Sequence, residues 1–230
     1  MDTILIVGVG PGLSASLARL AAKQGMAVAL AARKTDKLDA LAKETKARVY
    51  ACDAADPADV ERLFDAVERD LGPPAWVVYN ASYRARGPIA EVDPAEVKKA
   101  LLVSCYAGFL VGQRAAKIML KRGGGSIFFT GASASVKGYP QSASFAMGKF
   151  GLRGLAQSMA RELAPKNIHV AHFVIDGGIE RPGGDERAAA RGADGMLKAD
   201  AIAETYLHIH RQHRSAWTWE IEVRPWVENF

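Results

Sequence analysis

The stretch SFAMGKF, residues 144–150, carries the side chains whose chemistry most needs explaining. Phe145 and Lys149 are four residues apart, so on a helix they share one face, and the small residues Ser144, Ala146 and Gly148 leave that face open to close approach. A lysine in such surroundings either extends its amine from a core helix to solvent or lies beside a bound ligand. The phenylalanine one turn earlier cannot donate a proton. The pattern raises the question of which ligand this face meets.

A glycine-rich loop supplies one answer. The segment VGVGPGLSASLA directly follows an apolar run and opens a helical pattern. Its glycines remove side chains where backbone amides must approach a diphosphate, and the helix N-terminus adds positive potential. This context favours a dinucleotide-binding loop over a plain tight turn. The candidate contacts in the loop are Gly8, Gly10, Pro11, Gly12 and Leu13.

The end of the second apolar run indicates which nucleotide is preferred. An acidic residue there would bind the ribose 2′-hydroxyl and repel a 2′-phosphate, but this chain has Arg33 and Lys34. The two cations favour NADPH over NADH, with a solvated charge pair at a helix start as the alternative. Asp53 and Ala54, after the third run, are candidates for the adenine end. Asp53 either accepts from the adenine amine or caps a helix.

Apolar runs alternate with helical patterns along the whole chain. This alternation predicts a doubly wound, parallel seven-stranded sheet in a single domain over residues 1–230. A glycine- and charge-rich segment at 177–199 is interpreted as a mobile lid. The predicted strands are 3–7, 27–32, 47–51, 76–79, 126–130, 169–175 and 217–223. The predicted helices are 13–24, 35–45 with a cap at Thr35 or Asp36, 58–71, 94–122, 143–163 and 200–213.

The composition of the chain limits the kinds of molecule that it is expected to bind. The chain has 230 residues and a net charge of +5, with basic residues scattered rather than clustered, which favours a small anionic ligand over nucleic acid. Cys52 and Cys105 lie far apart in apolar surroundings and are interpreted as buried thiols rather than a disulfide. His208 and His210 do not share a helix face, so no metal site is expected. Without a signal-like N-terminus or a membrane-length apolar run, we expect a cytoplasmic protein.

Several motifs together resemble the short-chain dehydrogenase/reductase superfamily, over nearly the whole chain. The family's Gly-x-x-x-Gly-x-Gly pattern reads Gly8, Gly12 and then the small Ser14. Its NNAG motif corresponds to residues 79–82, its NPG turn to residues 176–178, and its active-site helix to FGLRGLAQSMAREL. The resemblance implies a Rossmann-like fold and an NAD(P)H-dependent oxidoreductase. It also implies cofactor contacts at Asn80, Ala81, Ser82, Lys149, Gly177, Gly178 and Ile179.

The catalytic positions implied by this resemblance are altered. Phe145 stands in place of the family's tyrosine, Ala132 in place of its serine and Ser104 in place of its asparagine, and Lys149 alone is kept. The enoyl-reductase variant is not matched either, because its tyrosine position is occupied by Ser142. Three coordinated departures suggest a natural branch that has abandoned the usual acid while keeping the cofactor site.

A reductase of this kind needs another source of the proton. General-acid catalysis is worth about 10²–10⁴-fold in rate, and Phe145 cannot supply it. The candidates are Tyr139, Ser133, Ser144 and a water relay through Lys149. Tyr139 could instead be loop packing, Ser133 could satisfy backbone groups at the strand end, and Ser144 could cap its helix. Phe145 itself could line an apolar pocket for a substrate that needs no strong acid.

These residues leave three functions open. The first is an NAD(P)H-dependent oxidoreductase acting on a small carbonyl, imine or activated alkene with a non-standard proton donor. The second is a catalytically silent NADPH-binding sensor or assembly protein, and the third a lyase or isomerase without net redox chemistry. The tryptophans at 217, 219 and 226 and the helices 94–122 and 143–163 predict a homodimer or homotetramer. A monomer with the tryptophans in its own core is the alternative.

Overall fold

The computed structural model describes residues 1–229 and contains a seven-stranded, fully parallel sheet in the order β3-β2-β1-β4-β5-β6-β7. This confirms the predicted doubly wound architecture. The strands are β1 Thr3–Val7, β2 Ala27–Ala32, β3 Arg48–Ala51, β4 Pro74–Tyr79, β5 Gly125–Thr130, β6 Ile168–Ile175 and β7 Glu220–Val223. The helices are α1 Leu13–Lys23, α2 Asp39–Thr45, α3 Pro57–Leu71, α4 Pro94–Leu101, α5 Ala107–Arg122, α6 Ala143–Leu163, α7 Glu186–Arg191 and α8 Ala199–His210.

The sheet has a hydrophobic core on each face, and β1 shows why. Its five residues are all buried, with Leu5 and Val7 in one cluster and Ile4 and Ile6 in the other, as the two-residue period of a strand requires. Residues of α3, α5 and α6 cover one face, and residues of α1, α2 and α8 cover the other. The strand order reverses between β1 and β4, so a crevice opens at the carboxyl ends of these strands.

Several element boundaries differ from the sequence prediction. The long helix predicted over 94–122 is interrupted by a π-helical turn at Leu102–Tyr106. The helix predicted over 35–45 begins as a 3-10 turn, and Thr35 makes no side-chain cap hydrogen bond. The last helix ends at His210 rather than at residue 213. The last strand is confined to four residues, and Trp217, which was predicted to begin it, stacks on His169 with ring centroids 4.7 Å apart.

The segment 177–199 is more ordered than a structureless loop. It contains α7, and Ile179 pairs with Leu197 in an isolated parallel bridge. Met196 is 4% exposed, so the end of the segment is anchored in the core. Across residues 1–229, no helix combines the length and the apolarity that crossing a membrane would require.

Candidate functional site

A cleft of about 990 Å³ lies at the carboxyl ends of the strands, where β1 and β4 diverge. It is bordered by the loop after β1, the ends of β2 and β3, the loop after β4 and the π-helical turn. Ten of the sixteen predicted cofactor contacts line it: Gly8, Gly10, Pro11, Arg33, Lys34, Asp53, Ala54, Asn80, Ala81 and Ser82. The fold therefore gathers residues from four separate loops around one cavity.

The glycine loop is shaped by close backbone packing on one side and open space on the other. Gly8 has φ +89°, and a Cβ there would lie 2.4 Å from the backbone nitrogen of Ala81, so only glycine fits. A Cβ on Gly10 or Gly12 would meet no atom within 4 Å, so these two glycines border free space. Main-chain groups that face such space at a helix start suit a diphosphate.

A side-chain relay fixes this loop to the end of β4. Asn80 Nδ2 donates to Ser14 Oγ over 2.6 Å, and Ser14 Oγ donates to the carbonyl oxygen of Gly8 over 3.2 Å. Ser14 is 1% exposed, so its small side chain does allow the close packing expected at the third glycine position. These two hydrogen bonds fix the loop after β1 relative to the end of β4, and both segments border the cleft.

The rim beside β2 carries uncompensated positive charge. Arg33 and Lys34 line the cleft, and neither forms an ion pair within residues 1–229. A phosphate is a suitable partner for two such cations. Asp53 also lines the cleft, and its Oδ1 accepts from the amide of Ala55 over 3.1 Å. Helix capping, the alternative considered for Asp53, is performed by Asp56, which accepts from the Asp59 amide.

Six of the predicted cofactor contacts do not border the cleft. Leu13 is 4% exposed and belongs to the core, which makes it a packing residue of α1. The turn after β6 packs instead against the C-terminal residues and the 177–199 segment. A Cβ on Gly177 would lie 2.6 Å from Pro225, and one on Gly178 would lie 3.0 Å from Met196. The six residues are Gly12, Leu13, Lys149, Gly177, Gly178 and Ile179.

Lys149 is buried, which excludes the interpretation that its amine reaches bulk solvent. Lys149 is only 3% exposed, and its Nζ donates to the carbonyl oxygen of Thr130 over 2.7 Å. The Thr130 hydroxyl in turn shares a hydrogen bond of 2.9 Å with the Tyr206 hydroxyl. Burial lowers the pKa of Lys149 to about 8, because desolvation disfavours the ammonium form.

Phe145 lies close to two cationic groups. The Lys149 Nζ is 5.8 Å from the centroid of its ring, and the Arg84 guanidinium carbon is 4.9 Å from the same centroid. Arg84 also donates to the hydroxyl of Ser142 over 2.7 Å. The position that the resemblance assigns to the catalytic acid is therefore an apolar ring next to two positive charges.

The predicted proton donors differ in availability. Ser144 Oγ donates to the carbonyl oxygen of Ala85 over 2.6 Å and does not cap α6, so the capping alternative was wrong and the hydroxyl is engaged. The hydroxyls of Tyr139 and Ser133 make no hydrogen bond within residues 1–229, and Tyr139 is 41% exposed. The backbone role considered for Ser133 belongs to its neighbour Ser135, whose Oγ accepts from the Ala132 amide.

Ser104, at the position that the resemblance assigns to asparagine, holds a loop in place. It lies in the π-helical turn, is fully buried, and its Oγ both accepts from the amide of Tyr83 and donates to the Tyr83 carbonyl, each over 3.1 Å. A Cβ on Gly148 would lie 2.8 Å from the Ser104 Cβ, so α6 packs directly against this turn. π-helical turns are frequent at functional sites.

Sequence reasoning missed two groups near this site. One is Arg84, whose position follows from the path of the loop after β4. The other is a partly buried cluster beside Lys149, formed by Arg153, Glu220 and His172. Arg153 makes two hydrogen bonds to Glu220, over 2.6 and 2.8 Å, and Glu220 accepts from His172 Nδ1 over 3.1 Å. Burial lowers the pKa of His172 to about 4, so the ring is neutral near pH 7. The available signal for the first group was an arginine two residues after the Asn80-Ala81-Ser82 segment.

The cysteines do not form a disulfide. Cys52 is buried and its pKa is raised to about 12, mainly by desolvation, whereas Cys105 is only half-buried, in contrast to the expectation of two buried thiols. Residues 1–229 contain no group of three or more His, Cys, Asp or Glu side chains arranged to hold a metal ion.

Comparison with known proteins agrees with this architecture. A family model described as "short chain dehydrogenase" matches residues 2–183. A solved structure of a short-chain dehydrogenase from Rhodopseudomonas palustris is 35% identical, with coverage of 98% of this chain and 99% of that one and a TM-score of 0.85. A metagenomic short-chain oxidoreductase in complex with NADP is 25% identical, with 97% of each chain covered and a TM-score of 0.84.

A relative of known function is also an oxidoreductase. The 3-oxoacyl-(acyl-carrier-protein) reductase of Mycobacterium tuberculosis is 29% identical over 178 residues, which is 77% of this chain and 69% of that protein. The family model covers well over half of the chain, and the glycine loop and the cleft lie within its matched region. The chain belongs to the short-chain dehydrogenase family, whose members are oxidoreductases that bind nicotinamide cofactors.

Proposed function

We propose that this protein is an NADPH-dependent reductase of a small carbonyl compound. The observation that carries the proposal is the cleft with its open glycine loop and the two unpaired cations, Arg33 and Lys34, at the end of β2. Two cations and no carboxylate at the end of β2 favour a 2′-phosphate over a free 2′-hydroxyl. The NADP complex of the metagenomic relative supports the same cofactor.

The residues of the chain have separable roles in this proposal. The amides around Gly10 and Gly12 bind the diphosphate, Asp53 and Ala54 border the adenine, and Arg33 and Lys34 bind the 2′-phosphate. Lys149 donates to the ribose hydroxyls at the nicotinamide end, as the family resemblance implies. NADPH, when bound, supplies the hydride. The protein contributes orientation and exclusion of water.

The proton in this scheme comes from a group other than the side chain at position 145. Tyr139 and Ser133 are the two predicted donors with unengaged hydroxyls, whereas the Ser144 hydroxyl is held by Ala85. A water relay through Lys149 also remains, since a lysine with a pKa of about 8 exchanges its proton readily near neutral pH.

A silent NADPH-binding protein is the second candidate. The observation that favours it is the phenylalanine at position 145, which leaves the cofactor cleft intact but removes the usual acid. This candidate shares the fold, the cleft and the nucleotide with the first. The two functions differ only in whether bound NADPH is consumed.

Two measurements separate these functions. Fluorescence titration with NADPH and NADH comes first, and an absence of binding of both nucleotides would refute both candidates. The second is NADPH consumption on ketones, imines and enones, with Lys149→Met as the variant and Lys121→Met, an exposed lysine of α5, as its matched control. Turnover that Lys149→Met abolishes and Lys121→Met preserves supports the reductase. Tight NADPH binding without turnover supports the silent protein.

We also propose that the protein acts as a cytoplasmic homodimer or homotetramer. Large apolar side chains that are 39–51% exposed lie on the π-helical turn and on α5 and α6: Tyr106, Phe109, Met147 and Phe150. Exposed apolar side chains grouped on neighbouring helices favour burial by a second subunit. Two thiols that form no disulfide fit a reducing compartment.

A further inference from the structure

The loop after β4 carries two arginines, Arg84 and Arg86, directly beyond the residues that line the cofactor cleft. Residues 82, 84 and 86 are exposed, whereas residues 83 and 85 between them are half-buried, as in an extended segment with alternating faces. Ser82 lines the cleft, so Arg84 and Arg86 extend the same face beyond it. The loop therefore carries two exposed arginines, Arg84 and Arg86, just beyond the last of its residues that line the cleft.

Backbone contacts fix this alternation. The main chain of Tyr83 is bound on both its amide and its carbonyl by the buried Ser104, and the carbonyl of Ala85 accepts from the buried Ser144. With the main chain of residues 83 and 85 held against the protein, residue 84 lies exposed between them, and its guanidinium extends to α6. The position of Arg84 is thus set by two separate helical elements, the π-helical turn and α6.

The guanidinium of Arg84 is held in place but its charge has no protein counter-ion. It lies 4.9 Å from the centroid of the Phe145 ring and donates to Ser142, which is 3% exposed. Within residues 1–229 it forms no ion pair with a carboxylate. Burial and repulsion from Arg86 lower its pKa, and no acidic group offsets them. A planar guanidinium with free N–H groups is suited to bind an oxyanion in two-point fashion.

We propose that Arg84 is a specificity-determining residue that binds an anionic group of the substrate, so that the substrate is a carbonyl compound bearing a carboxylate or a phosphate. This inference rests on the proposed reductase function and names its substrate class. Arg84 contacts both Phe145 and Ser142, on the helix that carries Lys149. An acidic group bound there would place the rest of the substrate beside this helix face.

The same charges disfavour one of the substrate classes left open by the sequence. A protonated imine is a cation, and Arg84 and Lys149, which lie within 6 Å of the Phe145 ring centroid and pair with no carboxylate within residues 1–229, would repel it. A neutral ketone would be tolerated, and a keto acid would be attracted. The electrostatics therefore select an anionic carbonyl substrate over an imine.

The test compares matched probes on the NADPH complex. Binding of levulinate is compared with that of its methyl ester, and binding of dihydroxyacetone phosphate with that of dihydroxyacetone, by ligand-observed NMR titration. The variants are Arg84→Gln and Arg84→Lys. Arg161→Gln removes an equal charge from the exposed far end of α6 and is the control. NADPH affinity is measured for every variant, because its loss would report on the cofactor site instead.

We expect the wild-type complex to bind one acidic probe at least tenfold more tightly than its neutral partner. Arg84→Gln should reduce that preference by about tenfold, Arg84→Lys should retain part of it, and Arg161→Gln should leave it unchanged. Preference for levulinate identifies a carboxylate substrate, and preference for the phosphate identifies a phosphorylated one. Equal binding of acidic and neutral probes, no binding of either acid, or equal effects of Arg84→Gln and Arg161→Gln would overturn the inference. Failure of NADPH itself to bind would refute the reductase function separately.

Discussion

Replacement of Lys149 by methionine measures how much the buried ammonium group of this lysine lowers the free energy of unfolding. The lysine amine is buried, and within residues 1–229 it makes one hydrogen bond, to the carbonyl oxygen of Thr130. Methionine keeps most of the aliphatic volume and removes the charge. It also leaves the Thr130 carbonyl without this donor, which costs about 1–3 kcal/mol. The variant is therefore informative through the pH dependence of its stability rather than through its stability at one pH.

The size and sign of that dependence follow from the pKa of Lys149. Its value falls from 10.5 to about 8 in the folded protein, so protonation at position 149 disfavours folding by about 3 kcal/mol at neutral pH. Between these two pKa values the unfolded chain binds the proton and the folded chain does not, so stability rises with pH. From about pH 7 to about pH 10, the free energy of unfolding of the wild type should gain about 2.5 kcal/mol relative to Lys149→Met.

The assay is urea unfolding of the wild type and Lys149→Met at both pH values. Other lysines, tyrosines and thiols titrate in both proteins and cancel in the difference. His172 does not interfere, because its pKa of about 4 leaves it neutral throughout this range. Lys121→Met, which alters an exposed lysine, should track the wild type at both pH values. If the difference in free energy of unfolding between the wild type and Lys149→Met is the same at both pH values, the amine is solvated. The account of a buried ammonium would then be wrong.

Four further substitutions test the cofactor cleft, the loop after β4 and the proposed subunit contact. Arg33→Ala and Lys34→Ala should each weaken NADPH binding about tenfold with NADH binding unchanged in fluorescence titrations, and an equal loss for both nucleotides would contradict their assignment to the 2′-phosphate. Ser104→Ala should lower the free energy of unfolding by about 1–2 kcal/mol and accelerate hydrogen exchange of the Tyr83 amide, whereas unchanged exchange would show that the serine does not hold the loop. Phe109→Asp should reduce the sedimentation coefficient to that of a single subunit, and sedimentation like that of the wild type would exclude its helix from the subunit contact.

The sheet could be predicted because the apolar runs in the sequence match the burial of its strands in the fold. Parallel strands buried on both faces read as continuous apolar runs, and β1 and β2 were predicted to the residue. The start of α3 follows from Asp56 and Pro57, a cap and a first-turn proline whose effects are local. The glycine loop could be predicted for the same reason, since its motif specifies backbone shape more than long-range contacts.

The rest of the site depends on contacts that no local pattern encodes. No proline flanks the π-helical turn, so the sequence pattern over 94–122 predicts one continuous helix and gives no sign of the interruption. The direction of the Lys149 amine is set by the Thr130 carbonyl on β5, far away in sequence. The path of the loop after β4 depends on Ser104 and Ser144, whose hydroxyls bind its backbone. For this reason the arginine at position 84 could be read from the sequence, but its proximity to Phe145 could not.

The phenylalanine at the position that the resemblance assigns to tyrosine lies in an electrostatically unusual site. Lys149 and Arg84 both lie within 6 Å of the Phe145 ring centroid, and within residues 1–229 no carboxylate pairs with either of them. Helix α6 thus retains a buried ammonium that opposes folding near neutral pH, and the loop after β4 adds a second cation nearby. A purely structural helix would be more stable with an apolar residue at position 149. A bound anion would offset these two cations, and this is the electrostatic argument behind the proposal of an anionic substrate beside an anionic cofactor.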